Sequence, residues 1–201
     1  DVIRAAELMV SVADQYRGNN NFEYDLVDIL RQAIAEKGRL MQKTVAAAYR
    51  AGDKQVFKAA SDRFLDLILL QDELLATRSE FSVGKWINQA RSLGNTPAEK
   101  ALYEWNARVQ ITTWGNRHAA NNGHLRDYAH KEWSGILKDL YYQRWKVYFD
   151  SMQQKLVGKS VSDIDFYVME ETWANASNVY PAAAQGDCVS TAQRVYQSVF
   201  K

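Results

Sequence analysis

The strongest constraint on the fold is a long run of apolar residues spaced three or four positions apart, over residues 24–50. Residues at these spacings share one face of an α-helix, so the run predicts a long amphipathic helix. Gly52 ends the pattern, and Asp53 is suited to cap a following helix, whose apolar stripe covers residues 56–75. Because the connection is short, the two helices should pack antiparallel as neighbours.

Other helix boundaries are indicated by capping residues. The segment TPAE, residues 96–99, combines an N-cap threonine, a proline at the first helical position and a glutamate three residues after the cap. It predicts a helix that continues to about residue 114. A further helix is predicted from about residue 125 to residue 156, and SDID, residues 162–165, is interpreted as the capping box of the next.

These patterns together predict an all-α fold. A first helix is expected over about residues 2–16, and Gly186 separates the last helix from the one before it. Two prolines and ten glycines in 201 residues are too few for the many turns of an all-β protein. We therefore predict a single-domain bundle of about seven or eight helices over residues 1–201.

Composition and motifs exclude several classes of function. The chain has 25 basic and 24 acidic residues, interspersed, so neither nucleic acid nor an anionic membrane is an expected partner. The sequence has no run of about 18 apolar residues, the length needed to cross a membrane. The phosphate-binding and dinucleotide-binding glycine motifs are missing, so no cofactor is predicted. The single cysteine, Cys188, says little about the compartment.

The segment between residues 111 and 133 does not follow the helical pattern. It contains a Trp-Gly pair and all three histidines, His118, His124 and His130. Spacings of six residues do not bring side chains to one helical face, so a metal site would require the loop to fold back. No metal site is therefore predicted, and we interpret the histidines as surface residues, with His130 on a helix.

Trp114 and Tyr128 are the candidate binding residues within this segment. Trp114 precedes Gly115 at a predicted helix end, where its indole could face a cleft, and Tyr128 lies about one turn into the next predicted helix, near Leu125 and Asp127. An aromatic wall beside a phenol and a carboxylate can stack on a sugar ring and hydrogen-bond its hydroxyls. The alternative is a buried Trp114, with Asp127 as a charge at a helix start. The aromatic residues further along, Trp133, Tyr141, Trp145 and Tyr148, are assigned mostly to packing.

Four motifs in collinear order resemble the helical C-terminal domain of the α-N-acetylglucosaminidases, glycoside hydrolase family 89. They are YDLVDILRQ (24–32), FSVGKWINQAR (81–91), YEWNARVQITTWG (103–115) and LRDYAHKEWSGILKDLYYQRW (125–145). The resemblance extends over about residues 22–200. It implies an exo-acting retaining hydrolase that removes terminal α-linked N-acetylglucosamine from glycans.

The resemblance also implies where the chemistry lies. In this family the helical domain packs on a catalytic (β/α)8 barrel that carries two glutamates, so the barrel and the catalytic residues would lie outside this chain. Trp114, Leu125 and Tyr128 are then expected to bind substrate by lining part of the sugar pocket, and the protein to be secreted, periplasmic or lysosomal. The alternative is a freestanding helical binding or scaffold module that shares only the fold.

Overall fold

The computed structural model describes residues 1–123 and 127–201, and these residues are largely helical. In chain order the α-helices are α1 (Val2–Val12), α2 (Asn20–Ala51), α3 (Lys54–Ala76), α4 (Val83–Ser92), α5 (Pro97–Gln110), α6 (Arg117–Asn122), α7 (Tyr142–Leu156), α8 (Phe166–Asn175) and α9 (Cys188–Phe200). Short 3₁₀ helices cover Ala13–Tyr16 and Ser79–Phe81, and a π-helical turn covers Leu137–Tyr141. The described part of the chain contains no β-strand, which confirms the all-α prediction.

The α2–α3 pair forms as the sequence predicts. Asn19 caps α2, and Gly52 ends it in the left-handed conformation, with φ of 71°. The Asp53 side chain then accepts a hydrogen bond of 2.9 Å from the Val56 amide at the start of α3. A glycine suits the left-handed position because it has no Cβ to clash with the backbone.

Three groups of buried apolar side chains hold the helices together. The largest lies between α1, α2, α3 and α9, and includes Leu30, Leu74 and Val189. A second group, with Phe57 and Phe149, joins α2 and α3 to α7. A third group joins α4 to α8 and to the segment before α7. This last group includes Ile111, just after α5, and Ile136 and Leu140, just before α7.

The predicted start of the helix before α7, at about residue 125, is wrong. Residues 127–135 form turns and extended backbone, and helical structure begins only at Ile136. The reason is tertiary: Ser134 donates a 2.8 Å hydrogen bond to the Phe81 carbonyl, and the Val83 amide donates one of 3.2 Å to the Ser134 carbonyl. Backbone groups paired in this way cannot also form helical hydrogen bonds. Contrary to prediction, Tyr128 and His130 therefore lie on a turn.

Two other helix boundaries also differ from prediction. The cap of α8 is Asp165, whose side chain accepts from the Val168 amide, and not a capping box that begins at Ser162. The helix α5 ends at Gln110, a few residues before Trp114, because residues 111–113 turn out of the helix. The Thr96–Glu99 capping box at the start of α5 is present as predicted.

Candidate functional site

The end of α5 positions Trp114. Thr112 and Thr113 are buried, and the Thr112 hydroxyl donates a 2.8 Å hydrogen bond to the Arg108 carbonyl. The Trp114 amide donates a 2.8 Å hydrogen bond to the Val109 carbonyl, and Trp114 adopts a φ of 61°. A non-glycine residue rarely adopts this left-handed conformation, and such residues cluster at functional sites. Trp114 is 39% exposed, so the alternative of a buried Trp114 is wrong.

The structure brings Trp114 and Tyr128 together. Their ring centroids are 5.3 Å apart and the ring planes meet at 65°, an edge-to-face contact. The backbone is also connected here, because the Asp127 amide donates to the Thr112 carbonyl at 3.4 Å. Tyr128 is 69% exposed, so its phenol faces outward. Leu125, the third candidate residue, lies outside the described residues.

Asp127 is held by an ion pair. Its carboxylate accepts two parallel hydrogen bonds from the Arg144 guanidinium of α7, of 2.8 and 2.9 Å. Asp127 also adopts a left-handed backbone, with φ of 60°, in a turn. It is therefore not the helix-start charge of the alternative interpretation. Two-point pairing of this kind fixes direction as well as distance.

Arg144 is itself surrounded by charged and aromatic groups. Its Nη1 atom lies 3.1 Å from the carboxylate of Glu170, which is fully buried in α8. The guanidinium lies over the rings of Tyr141 and Phe166, at 5.5 and 5.4 Å from their centroids. Burial lowers the pKa of Arg144, but the hydrogen bonds and charge of Asp127 and the charge of Glu170 outweigh it, so the pKa lies above its ordinary value.

The first half of the segment is fastened to α8. The short helix α6 begins after Asn116, and its Arg117 pairs with Asp165 at 2.8 Å. The Arg117 guanidinium also lies 4.5 Å from the ring centroid of Tyr167, whose hydroxyl donates to the Gly115 carbonyl at 3.3 Å. Contacts with α8 and its capping residue therefore hold the segment that follows Trp114 and Gly115.

The histidines do not gather into a metal site in the described part of the chain. His118 and His130 are exposed, and His118 is hydrogen-bonded to Asn122 at 3.0 Å. Within residues 1–123 and 127–201, no group of three or more histidine, cysteine or carboxylate side chains is placed so that it could hold a metal ion. His124 lies outside the described residues.

A cavity of about 660 Å³ adjoins the other side of the turn. It opens between α2 and α7, and its wall is mainly apolar and rich in aromatic side chains, with Asp127, His130 and Arg144 also in it. Trp145 packs against Phe64 and Phe149, as the packing assignment predicts. Tyr148 also contacts Phe149 but is 38% exposed and lines the cavity.

This arrangement of side chains is suited to ligand binding. The exposed phenol and indole offer an apolar face with a hydrogen-bonding hydroxyl, which suits the face of a sugar ring. The nearby carboxylates of Asp127 and Glu170 both pair with Arg144. Sequence reasoning missed Arg144 and Glu170 because nothing in their spacing predicts a contact with Asp127.

Comparison with known proteins identifies the fold and its context. The profile of the α-N-acetylglucosaminidase (NAGLU) C-terminal domain matches residues 1–198. Human α-N-acetylglucosaminidase is 28% identical over 202 residues, which cover 98% of this chain and 26% of the human protein.

Solved structures agree with this match. A family 89 glycoside hydrolase from Clostridium perfringens, in complex with PUGNAc, superimposes with a TM-score of 0.92 at 35% identity. The alignment covers 98% of this chain and 23% of that enzyme. A C. perfringens structure in complex with its substrate GlcNAc-α-1,4-galactose has the same TM-score at 34% identity, with 97% and 23% coverage. The chain thus spans about a quarter of the relatives it matches, and it belongs to the family of α-N-acetylglucosaminidase C-terminal domains.

Proposed function

We propose that the chain is the helical C-terminal domain of an exo-acting retaining α-N-acetylglucosaminidase, which hydrolyses terminal α-linked N-acetylglucosamine from glycans. The observation that carries the proposal is the exposed Trp114–Tyr128 pair, held in a domain of this family. The human relative is named for this activity, and the C. perfringens relative is described in complex with a GlcNAc-α-1,4-galactose substrate.

The catalytic carboxylates would lie in a barrel domain of the same polypeptide, on which this all-helical domain would pack. Trp114, Leu125 and Tyr128 would line one side of the sugar pocket. Their role is to orient the terminal sugar over the carboxylates, which converts binding energy into rate. The isolated chain is expected to be inactive because part of a pocket lacks the groups that stabilise the transition state.

The proposed partners are therefore the barrel domain and a glycan that ends in N-acetylglucosamine. From the resemblance to this family we propose a secreted, periplasmic or lysosomal location. Among the described residues no helix is both long and apolar enough to cross a membrane.

The test is Trp114→Ala in the full-length enzyme, assayed on an aryl α-N-acetylglucosaminide. An aromatic contact contributes up to about 1.5 kcal/mol beyond simple burial, and the lost burial of the indole adds to this, so kcat/KM should fall roughly tenfold or more. Trp105→Ala is the matched control, since Trp105 is a comparably exposed tryptophan on α5, 44% against 39%. Unchanged kinetics in Trp114→Ala, in an enzyme that is otherwise active, would count against the pocket role.

The cavity between α2 and α7 favours the second candidate, a freestanding binding module, because its volume is that of a ligand pocket. An antibody raised against the chain can separate the two candidates. An active native polypeptide much longer than 201 residues supports the hydrolase, and an inactive one of this length supports the module.

A further inference from the structure

We propose that Arg144 is a positioning residue for the sugar pocket, acting through Asp127 on Tyr128. This inference rests on the proposed function, and it assigns a part in substrate binding to a residue that need not touch substrate.

The turn that carries Tyr128 combines a disfavoured backbone conformation with long backbone hydrogen bonds. Asp127 precedes Tyr128 directly and adopts a φ of 60°, a left-handed conformation that has a steric cost for a residue with a Cβ, although aspartate tolerates it better than most. Its amide donates a long hydrogen bond, of 3.4 Å, to the Thr112 carbonyl, and its own carbonyl accepts one of 3.3 Å from the His130 amide. Strained backbone of this kind persists only where surrounding contacts determine it. Asp127 therefore needs a strong anchor.

Arg144 supplies that anchor. Both oxygens of the Asp127 carboxylate are bound by the two Nη atoms of Arg144, at 2.8 and 2.9 Å. Parallel hydrogen bonds fix the carboxylate plane, which a single hydrogen bond or a point charge would leave free to rotate. The side chain that determines the orientation of the turn thus comes from α7.

The anchor is rigid because Arg144 has contacts on several sides. Only 19% of its side chain is exposed, and it lies over the rings of Tyr141 and Phe166. The buried Glu170 adds a second carboxylate at 3.1 Å. Since Phe166 and Glu170 belong to α8, Arg144 connects two helices to the turn. Because α7 and α8 fix the position of this guanidinium, they also fix the position of the turn and of the Tyr128 phenol.

The position of Tyr128 then determines the pocket wall. Tyr128 makes its edge-to-face contact with Trp114 from this turn, while its side chain is largely exposed. A turn that is no longer held by two hydrogen bonds would let the phenol move away from Trp114. Displacements of about 1 Å at a substrate-positioning group can reduce activity by up to about a hundredfold.

The experiment is a double-mutant cycle in the full-length enzyme, with Arg144→Lys and Tyr128→Ala made singly and together. Lysine keeps the charge but cannot make the two parallel hydrogen bonds. We expect Arg144→Lys to lower kcat/KM about tenfold, mainly through KM, and to have almost no further effect in the Tyr128→Ala background. Lys146→Gln is the matched control, because Lys146 lies on α7 in an exposed pair with Asp150 and should change nothing.

The outcomes separate the two proposals. If Tyr128→Ala and Trp114→Ala leave kcat/KM unchanged, the proposed pocket role fails, and this inference fails with it. If Tyr128→Ala lowers kcat/KM but Arg144→Lys has no effect, or an effect that simply adds to it, only the positioning role of Arg144 is overturned.

Folding is checked in parallel by thermal unfolding. If Arg144→Lys does not fold, Asp127→Asn replaces it in the cycle, since asparagine keeps the shape and one acceptor oxygen. The same coupling to Tyr128 is expected for Asp127→Asn. If both variants fail to fold, Arg144 is assigned to stability and the positioning role is overturned.

Discussion

The substitution Glu104→Gln tests how the end of α5 is held. Arg108 is fully buried just before the turn that carries Trp114. Two of its nitrogens donate to one Glu104 oxygen, at 2.8 and 3.0 Å, and Nη2 also donates to the Asn178 carbonyl at 2.6 Å. Its guanidinium lies 4.9 Å from the ring centroid of Trp173. Removing the carboxylate leaves a cation in the interior.

The magnitude follows from this geometry. Opposite charges 2.8 Å apart attract by about 6 kcal/mol at an effective dielectric constant of roughly 20. Breaking a buried pair from one side typically costs about 3–5 kcal/mol. Because 17% of the Glu104 side chain is exposed and glutamine still offers an acceptor, we expect a loss near the lower bound, about 3 kcal/mol. This corresponds to a Tm lower by roughly 6–12 °C.

The assay is urea unfolding of the 201-residue chain, with the m-value as a check on two-state behaviour. Arg91→Gln is the matched control. It removes the other, 44% exposed, partner of Glu104 and should cost no more than about 1 kcal/mol. A Glu104→Gln variant within about 0.5 kcal/mol of the parent chain would refute the reasoning.

The pH dependence provides a second measurement on the same variant. Burial raises the pKa of Glu104, but hydrogen bonds from Arg108 and Arg91 outweigh it, so the pKa lies below its ordinary value. A depressed pKa in the folded state stabilises the fold above the unfolded-state pKa, and that stabilisation is lost as the pH falls through the folded-state value. The parent chain should therefore lose more stability than Glu104→Gln on acidification below about pH 4.5.

Two further predictions concern other parts of the fold. Gly84→Ala should lower the free energy of unfolding by about 1–3 kcal/mol, because a Cβ there would overlap the Pro181 carbonyl. Gly38→Ala is the control and should be tolerated, because its Cβ would meet only side-chain atoms at 3.4 Å or more. Equal Tm values for the two variants would contradict this prediction. Asp187→Asn should flatten the loss of stability below about pH 4, because hydrogen bonds from Arg17 and from Ser190 hold the pKa of Asp187 well below its ordinary value. Their contribution is lost progressively as the pH falls from the ordinary pKa towards the folded-state pKa. Unfolding curves of both chains between about pH 2 and 6 check this, and parallel pH profiles would refute it.

The local sequence was sufficient to predict a helix boundary wherever nearby capping residues set that boundary. Gly52 and Asp53 separate α2 from α3, and Thr96 with Glu99 starts α5, as predicted. In each case the partners are within a few residues of each other, so the free energy is local and the pattern is readable. The all-α class follows from the same periodicity.

Tertiary contacts determine the backbone conformation of the segment before α7. Ser134 pairs with Phe81 and Val83, and the Asp72 carboxylate accepts from the Gly135 amide at 2.7 Å. These partners are more than 50 positions away in the chain, so a pattern of neighbouring residues cannot reveal them. They replace helical hydrogen bonds that the local sequence would otherwise favour.

The candidate site divides in the same way. The sequence by itself singled out Trp114, Leu125 and Tyr128, and motif order placed the chain in its family. Only the tertiary structure set Tyr128 against Trp114 and linked Asp127 to Arg144, because a left-handed turn is stabilised here by a side chain from another helix. Backbone conformations that local propensity disfavours depend on distant contacts, and such contacts exist only once the helices have packed.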